Sequence, residues 1–364
     1  MVSRRRFLLA AGGALVGPSA AVASQGTSPY GLPEESEPHV RTFMQWPVNR
    51  MVHSDAAFLE DLQTAIADIA NTIVEFEPVV MLMAAKFEAA ARRKLGTSVE
   101  IWHIATDDLW CWDSGPLFVR NAAGDLAVRD LNFNGWGGKQ VHPNDGRVAR
   151  RVAQRLGLPV LGNGLVGEAG GVESDGQGTL IAHESSWINP NRNRGPKSAV
   201  SALLLEALGA EKVIWAPGVK GADITDYHID SLARLVAPGT VLIQLPEQMD
   251  PRDPWSVAAF ETYDILELSR DAREKPLHLV TIPEPVDTRI ESADFVASYV
   301  NYYICNGAVI AAEFGDPEAD TIARQTLSKL YPGREIVMLN VDPIGEVGGG
   351  IHCATQQQPV ARNA

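Results

Sequence analysis

Ala56-Ala57-Phe58-Leu59-Glu60-Asp61-Leu62-Gln63-Thr64-Ala65-Ile66-Ala67-Asp68-Ile69-Ala70-Asn71-Thr72-Ile73 leads, a few residues on, into Val79-Val80-Met81-Leu82-Met83. Phe58, Leu62, Ala65, Ile66, Ile69 and Ile73 recur three and four positions apart, which places them on one face of a helix predicted over 56–76. The apolar run after it suits a short buried strand. The same alternation returns four more times. Helical patterns over about 147–156, 197–208, 258–270 and 318–331 precede short strands at Pro159–Leu161, Val213–Ala216, Leu277–Ile282 and Glu335–Leu339. Extra strands are expected at 99–104, 126–131, 240–245 and 299–304. With Val79, Val160, Val213, Leu279 and Val337 as markers, the intervals are 81, 53, 66 and 58 residues, too uneven for a sequence repeat. The fold class is α/β, and the pattern fits either a doubly wound sheet or a ring of five small α/β units.

The chain has 364 residues with 31 basic and 45 acidic side chains, a net charge of −14. Arg4, Arg5 and Arg6 are the only charges in the first 23 positions, so without that segment 28 basic residues face 45 acidic ones, or −17. Such a surface repels nucleic acid and anionic lipid and is compatible with a cationic ligand. Three cysteines, Cys111, Cys305 and Cys353, cannot all pair within one chain, so at least one thiol is expected to be free.

Ser3-Arg4-Arg5-Arg6-Phe7-Leu8-Leu9, an apolar run to Val16 and Ala21-Val22-Ala23 before Ser24 resemble a twin-arginine export signal. Residues 1–23 are therefore expected to be a signal and 24–364 a single catalytic domain, located in the periplasm or outside the cell. Beyond residue 24 no apolar stretch is long enough for a transmembrane helix, so stable membrane insertion is not expected.

Five segments carry candidate chemistry. Gly348-Gly349-Gly350-Ile351-His352-Cys353 brings a thiol directly behind three glycines that let backbone approach a ligand. In extended chain His352 points away from its neighbour, which makes it a poor partner for Cys353. Asp226-Tyr227-His228-Ile229-Asp230, read as strand-like, puts Asp226, His228 and Asp230 on one face, for acid/base work or for a metal. Asp107-Asp108-Leu109-Trp110-Cys111-Trp112-Asp113 combines rings and carboxylates suited to a planar cation. Glu168-Ala169-Gly170-Gly171 offers a carboxylate beside glycines, and Asn132-Phe133-Asn134-Gly135-Trp136-Gly137-Gly138-Lys139 an aromatic loop or a hairpin.

Taken together, these segments resemble the agmatine deiminase family, related to bacterial-type peptidylarginine deiminases. The resemblance runs from Met44-Gln45-Trp46-Pro47 through Phe133–Lys139, Asn189-Pro190-Asn191-Arg192-Asn193, Ala297–Tyr303 and Phe314-Gly315-Asp316 to His352–Pro359. It implies the pentein fold, a five-bladed α/β propeller in one domain, and so selects the ring. Residue by residue, it implies Cys353 as nucleophile, His228 as acid/base, Asp113 and Asp230 as the carboxylates gripping a guanidinium, and Glu168 as an assisting carboxylate. Trp110, Trp112, Tyr227, Trp136, Gly349 and Gly350 are the further candidates for touching substrate. The implied activity is hydrolysis of agmatine to N-carbamoylputrescine and ammonia through a covalent thiouronium, with no metal or organic cofactor. The expected partner is a small cationic guanidine, not nucleic acid; a homo-oligomer stays open. Four segments depart from the family pattern: Trp112 stands for Arg, Tyr227 for Gly, Ala169 for Gly, and Val347-Gly348-Gly349-Gly350 for Gly-Gly-Gly-Asn. Trp112 and Tyr227 are expected to make the pocket bulkier.

Three other readings compete. A deiminase for free or peptidyl arginine would use the same residues. A metal-dependent guanidine hydrolase of the agmatinase or arginase type would use Asp226-x-His228-x-Asp230, but it needs a second carboxylate cluster that the sequence does not offer. An exported, non-catalytic binding protein for guanidines or polyamines would use the aromatic and acidic residues alone.

Overall fold

A computed structural model describes residues 30–292 and 294–362; the expected export signal at 1–23 lies outside them. Helix Ala56–Ile73 begins where Asp55 accepts from the amides of Ala57 (2.8 Å) and Phe58 (3.2 Å), covering two donors a helix start leaves unpaired. Its buried stripe is Leu59, Leu62, Ala65, Ile66, Ile69, Ala70 and Ile73; Leu59 takes the deep position expected of Phe58, which packs at the margin. Each fully buried Leu or Ile contributes roughly 1.5–3 kcal/mol. All five residues of Val79–Met83 are buried because this strand lies inside its sheet, parallel to neighbours on both sides.

Five separate sheets result, and one motif explains them all. A strand pairs antiparallel with the next, a helix follows, and a third strand lies parallel to the second. The second unit is Leu117–Asn121, Leu126–Arg129, helix Val148–Leu156 and Val160–Leu161. The third is Val172–Ser174, Thr179–His183, helix Lys197–Leu208 and Lys212–Ala216. The fourth is Ala233–Ala237, Thr240–Leu245, helix Pro254–Leu268 and His278–Pro283. The fifth is Tyr303–Cys305, Ala308–Ala312, helix Pro317–Leu330 and Glu335–Leu339. The first unit borrows its antiparallel strand from the far end of the chain. Thr355–Pro359 pairs with His39–Gln45, which runs parallel to Val79–Met83, itself beside Glu100–His103.

The helices of the fourth and fifth units start alike, with Asp253 or Asp316 capping and a proline in the first turn. The strand expected at 299–304 is shorter than its pattern, because pairing begins only at Tyr303. No helix among the described residues is long and apolar enough to cross a membrane.

Candidate active site

Each connection between successive units delivers a polar side chain to one place. Asp113 lies between the first and second units, Glu168 between the second and third, and His228 with Asp230 between the third and fourth. Asn301 comes before the fifth unit, and Cys353 between the fifth and the returning strand. These loops are fixed by direct bonds. The amide of Trp112 donates to the carbonyl of Cys353 at 3.0 Å, and Ser114 Oγ donates to Gln45 Oε1 at 2.9 Å. A cavity of about 240 Å³ forms there, with Cys353, His228, Asp113, Asp230, Trp110, Trp136 and Gly349 in its wall.

Cys353 Sγ lies 3.6 Å from Asp230 Oδ2 and 3.2 Å from Asn301 Nδ2, and Asn301 Oδ1 accepts from the Cys353 amide at 3.3 Å. Burial, reinforced by the charges of Asp230 and Asp113, pushes this thiol well up, so its own surroundings hold it protonated. All three cysteines are free and buried.

His228 is held at both ring nitrogens. Nε2 lies 3.2 Å from Glu168 Oε2, and Nδ1 lies 3.7 Å from Asp113 Oδ1. Burial opposes the charged ring, but Asp113, Glu168 and Asp230 outweigh it and lift His228 to about 9. Glu168 is in turn held by Arg192 Nε at 3.0 and 3.2 Å, and Arg192 Nη1 reaches Asp226 Oδ2 at 2.8 Å. His228 is therefore an imidazolium at neutral pH, an acid in waiting.

The two carboxylates on the cavity differ. Burial raises Asp113 to about 6, against the pull of His228 and helped by Glu168 and Asp230; the Trp136 indole donates to its Oδ2 at 2.9 Å. Burial works on Asp230 too, yet His352, 2.8 Å behind it, with His228 and Arg234 holds it below the usual carboxylate range. Its other oxygen, Oδ1, is buried with no hydrogen-bond partner among the described residues. Such an orphaned acceptor costs stability unless a ligand donor reaches it. Gly170 explains how these groups converge: a methyl there would lie 2.7 Å from His228 Nδ1 and 3.1 Å from both Asp113 Oδ1 and Asp230 Oδ2.

Three of the expected substrate contacts lie outside the wall of this cavity. Trp112 is absent from the cavity wall; it packs on the His352 ring at 4.4 Å within an apolar cluster behind the site. Tyr227 faces an adjoining cavity instead, so neither residue narrows the space around Cys353. Gly350 also misses the wall; a methyl on it would lie 2.5 Å from Asn301 Oδ1, so its missing side chain serves the approach of Asn301. Gly349 does line the cavity and lets the Trp110 ring pack, since a methyl would come within 2.4 Å of it.

The strand-like reading of 226–230 also fails. Asp226 (φ 61°) and Tyr227 (φ 69°) are left-handed, and Ile229–Ser231 is a 3-10 turn. Asp226 consequently turns to Arg192 and Lys139, each at 2.8 Å, and does not join His228 and Asp230. The metal-motif alternative loses a ligand by that turn. His352 behaves as expected, buried behind Asp230 and not bonded to the thiol. Asn301 and Arg192 were not singled out for roles, although both stand within quoted motif stretches; nothing in their spacing says they reach Cys353 or Glu168.

A sequence profile of the Porphyromonas-type peptidyl-arginine deiminase family matches residues 31–359. The chain belongs to this family. Among its relatives is an agmatine deiminase of Pseudomonas aeruginosa, 35% identical over 92% of this chain and 97% of that one. An agmatine deiminase of Ectopseudomonas mendocina is 34% identical, again over 92% and 97%. The solved structure of the agmatine deiminase of Enterococcus faecalis superposes with a TM-score of 0.83 at 27% identity, covering 93% of this chain and 99% of that one. The α/β fold of this deiminase chain is thus of the pentein type.

Proposed function

We propose that the chain hydrolyses a small guanidine, agmatine, to N-carbamoylputrescine and ammonia through a covalent intermediate on Cys353. One observation carries this reading: a thiol faces two carboxylates and a charged imidazole across one cavity, and Asp230 Oδ1 has no donor among the described residues.

A guanidinium is a weak electrophile because resonance spreads its charge. Held between Asp113 and Asp230 by charge-assisted hydrogen bonds, it presents its central carbon to sulfur. Its positive charge offsets the repulsion that keeps the thiol protonated, so the thiol releases its proton to solvent as substrate binds. Sγ then bonds to the carbon, and the C=N electron pair moves to nitrogen. His228 protonates one amino group of this tetrahedral adduct, and the C–N bond breaks to release ammonia. The cationic thiouronium that remains is attacked by water, whose proton passes to the now neutral His228. Collapse breaks the C–S bond, the hydroxyl proton goes to sulfur, and the ureido product departs.

Asn301, bonded to both the amide and the sulfur of Cys353, is a positioning residue. The five like units, the first of them completed by Thr355–Pro359, support a ring of five blades. The twin-arginine pattern at Arg4–Arg6 supports export of the chain.

The test compares agmatine, arginine and arginyl peptides for release of ammonia and ureido product. Agmatine is expected to turn over fastest, and Cys353→Ala to abolish turnover, by roughly a thousandfold or more, without unfolding. Binding of agmatine without turnover would favour the binding-protein reading; retained activity in Cys353→Ala would end the nucleophile assignment.

A further inference from the structure

Beyond Ile224, Val296 and Val347, which with Asp223, Ser231 and Gly348 line both spaces, the Cys353 cavity adjoins a larger one of about 510 Å³. Asp253, Glu284, Asp294 and Glu346 stand in the outer wall, Asp223 stands where the two spaces meet, and no Lys or Arg lines the outer cavity. Asp253 caps the helix that starts at Pro254, and Asp223 accepts from Thr225 Oγ1 at 2.9 Å; neither is neutralised by a cation in doing so. Burial and the charge of Asp253 raise Glu284 above its ordinary range, as two carboxylates sharing a space without a counter-charge require.

Tyr227 supplies a second, independent observation. Only 7% of it is exposed, yet its hydroxyl has no hydrogen-bond partner among the described residues, and the residue lines this outer cavity. Burial pushes the hydroxyl far up, with the negative charges of Glu284, Asp223 and Asp253 adding to it, so these carboxylates surround a neutral donor. The ring packs edge-on against Trp255 at 4.6 Å, and Trp255 lines the same wall. The chain also holds Tyr227 in left-handed backbone, a conformation that costs roughly 1–3 kcal/mol for a side chain of this size. Rings and unpaired carboxylates together make a cage for an alkylammonium.

We propose that the outer cavity is a second cation subsite, taking the ammonium at the far end of a linear guanidine whose alkyl chain crosses the neck along Ile224, Val296 and Val347, past Asp223 and Ser231. The inference rests on the reading of the inner cavity as the guanidinium site. Since the outer cavity has about twice the inner volume, the substrate class extends past agmatine to guanidines of longer diamines and polyamines.

The test uses aminohexylguanidine and hexylguanidine, which differ only in the distal cation. Their kcat/KM ratio in the intact enzyme, and their Kd ratio by calorimetry on Cys353→Ala, are each expected at about tenfold or more. Asp253→Asn with Glu284→Gln removes two charges while Asn keeps the helix cap, and Tyr227→Phe removes one hydroxyl. In the double variant both ratios are expected to fall toward one; in Tyr227→Phe, by about twofold. A ratio near one in the parent protein, or one that survives the double variant, overturns the subsite. Should neither compound turn over, the catalytic reading fails on its own, and the Kd ratio still decides the outer cavity.

Discussion

Asp113 and Asp230 face the same cavity, yet the molecule treats them in opposite ways. Behind Asp230 stands a buried histidine, itself lifted to about 9: burial and Arg234 oppose its charge, but Glu35 and Asp230 overcome them. The donors to Asp113 are neutral, the Trp136 indole at 2.9 Å and the Gly170 amide at 3.4 Å, and its nearest cation, His228, lies farther off at 3.7 Å. A cation at its back keeps Asp230 a carboxylate, whereas Asp113 carries a proton for part of the population near pH 6. The lesson is that one wall is a fixed anion and the other an anion completed by its surroundings, including the substrate.

The largest effect expected from that asymmetry is at Asp230. Asp230→Asn removes the fixed anion, leaves charged His352 without its partner, and withdraws the carboxylate from Cys353. The expected result is a loss of kcat/KM of roughly a thousandfold and of stability by about 3–5 kcal/mol, read by kinetics and by denaturant unfolding. An asparagine variant as stable as the parent would show that His352 does not hold this wall. Asp113→Asn should cost less, roughly a hundredfold in kcat/KM with about 1 kcal/mol or less of stability, since Trp136 can donate to an amide oxygen as well. Equal losses at the two positions would erase the distinction.

The pH profile sharpens the same contrast. Guanidinium capture needs Asp113 ionised, so kcat/KM should fall as pH drops through about 6. Departure of ammonia needs His228 charged, so activity should fall again as pH rises through about 9. Both limbs belong to the coupled cluster and not to single residues. Trp136→Phe deletes one donor that favours the charged Asp113 and should move the acid limb upward by about half a unit. An acid limb that stays put would separate Trp136 from the titrating group.

Much of this was readable in the chain. The stripe from Leu62 to Ile73 and the run Val79–Met83 gave their elements because periodicity and burial agree there. Cys353, His228, Asp113, Asp230 and Glu168 do meet at one place, through ordered motif matches and not through spacing, since four different connections carry them. Thr355–Pro359 hid its role as a strand, because Thr-Gln-Gln-Gln-Pro lacks an apolar alternation although every residue of it is buried. Trp112 and Tyr227 do not crowd the thiol for local reasons: in the short helix Cys111–Ser114 Trp112 turns back onto His352, and left-handed Asp226 and Tyr227 turn the tyrosine to the adjoining cavity.

Covalent capture by sulfur is the step on which the account stands. Acid quenching of the protein during turnover of agmatine, then mass spectrometry of the peptide bearing Cys353, tests it directly. The account predicts an adduct on Cys353 carrying the amidine carbon and its alkyl amine, having lost one ammonia. Product forming while Cys353 stays unmodified, with the same yield from Cys353→Ala, would contradict it.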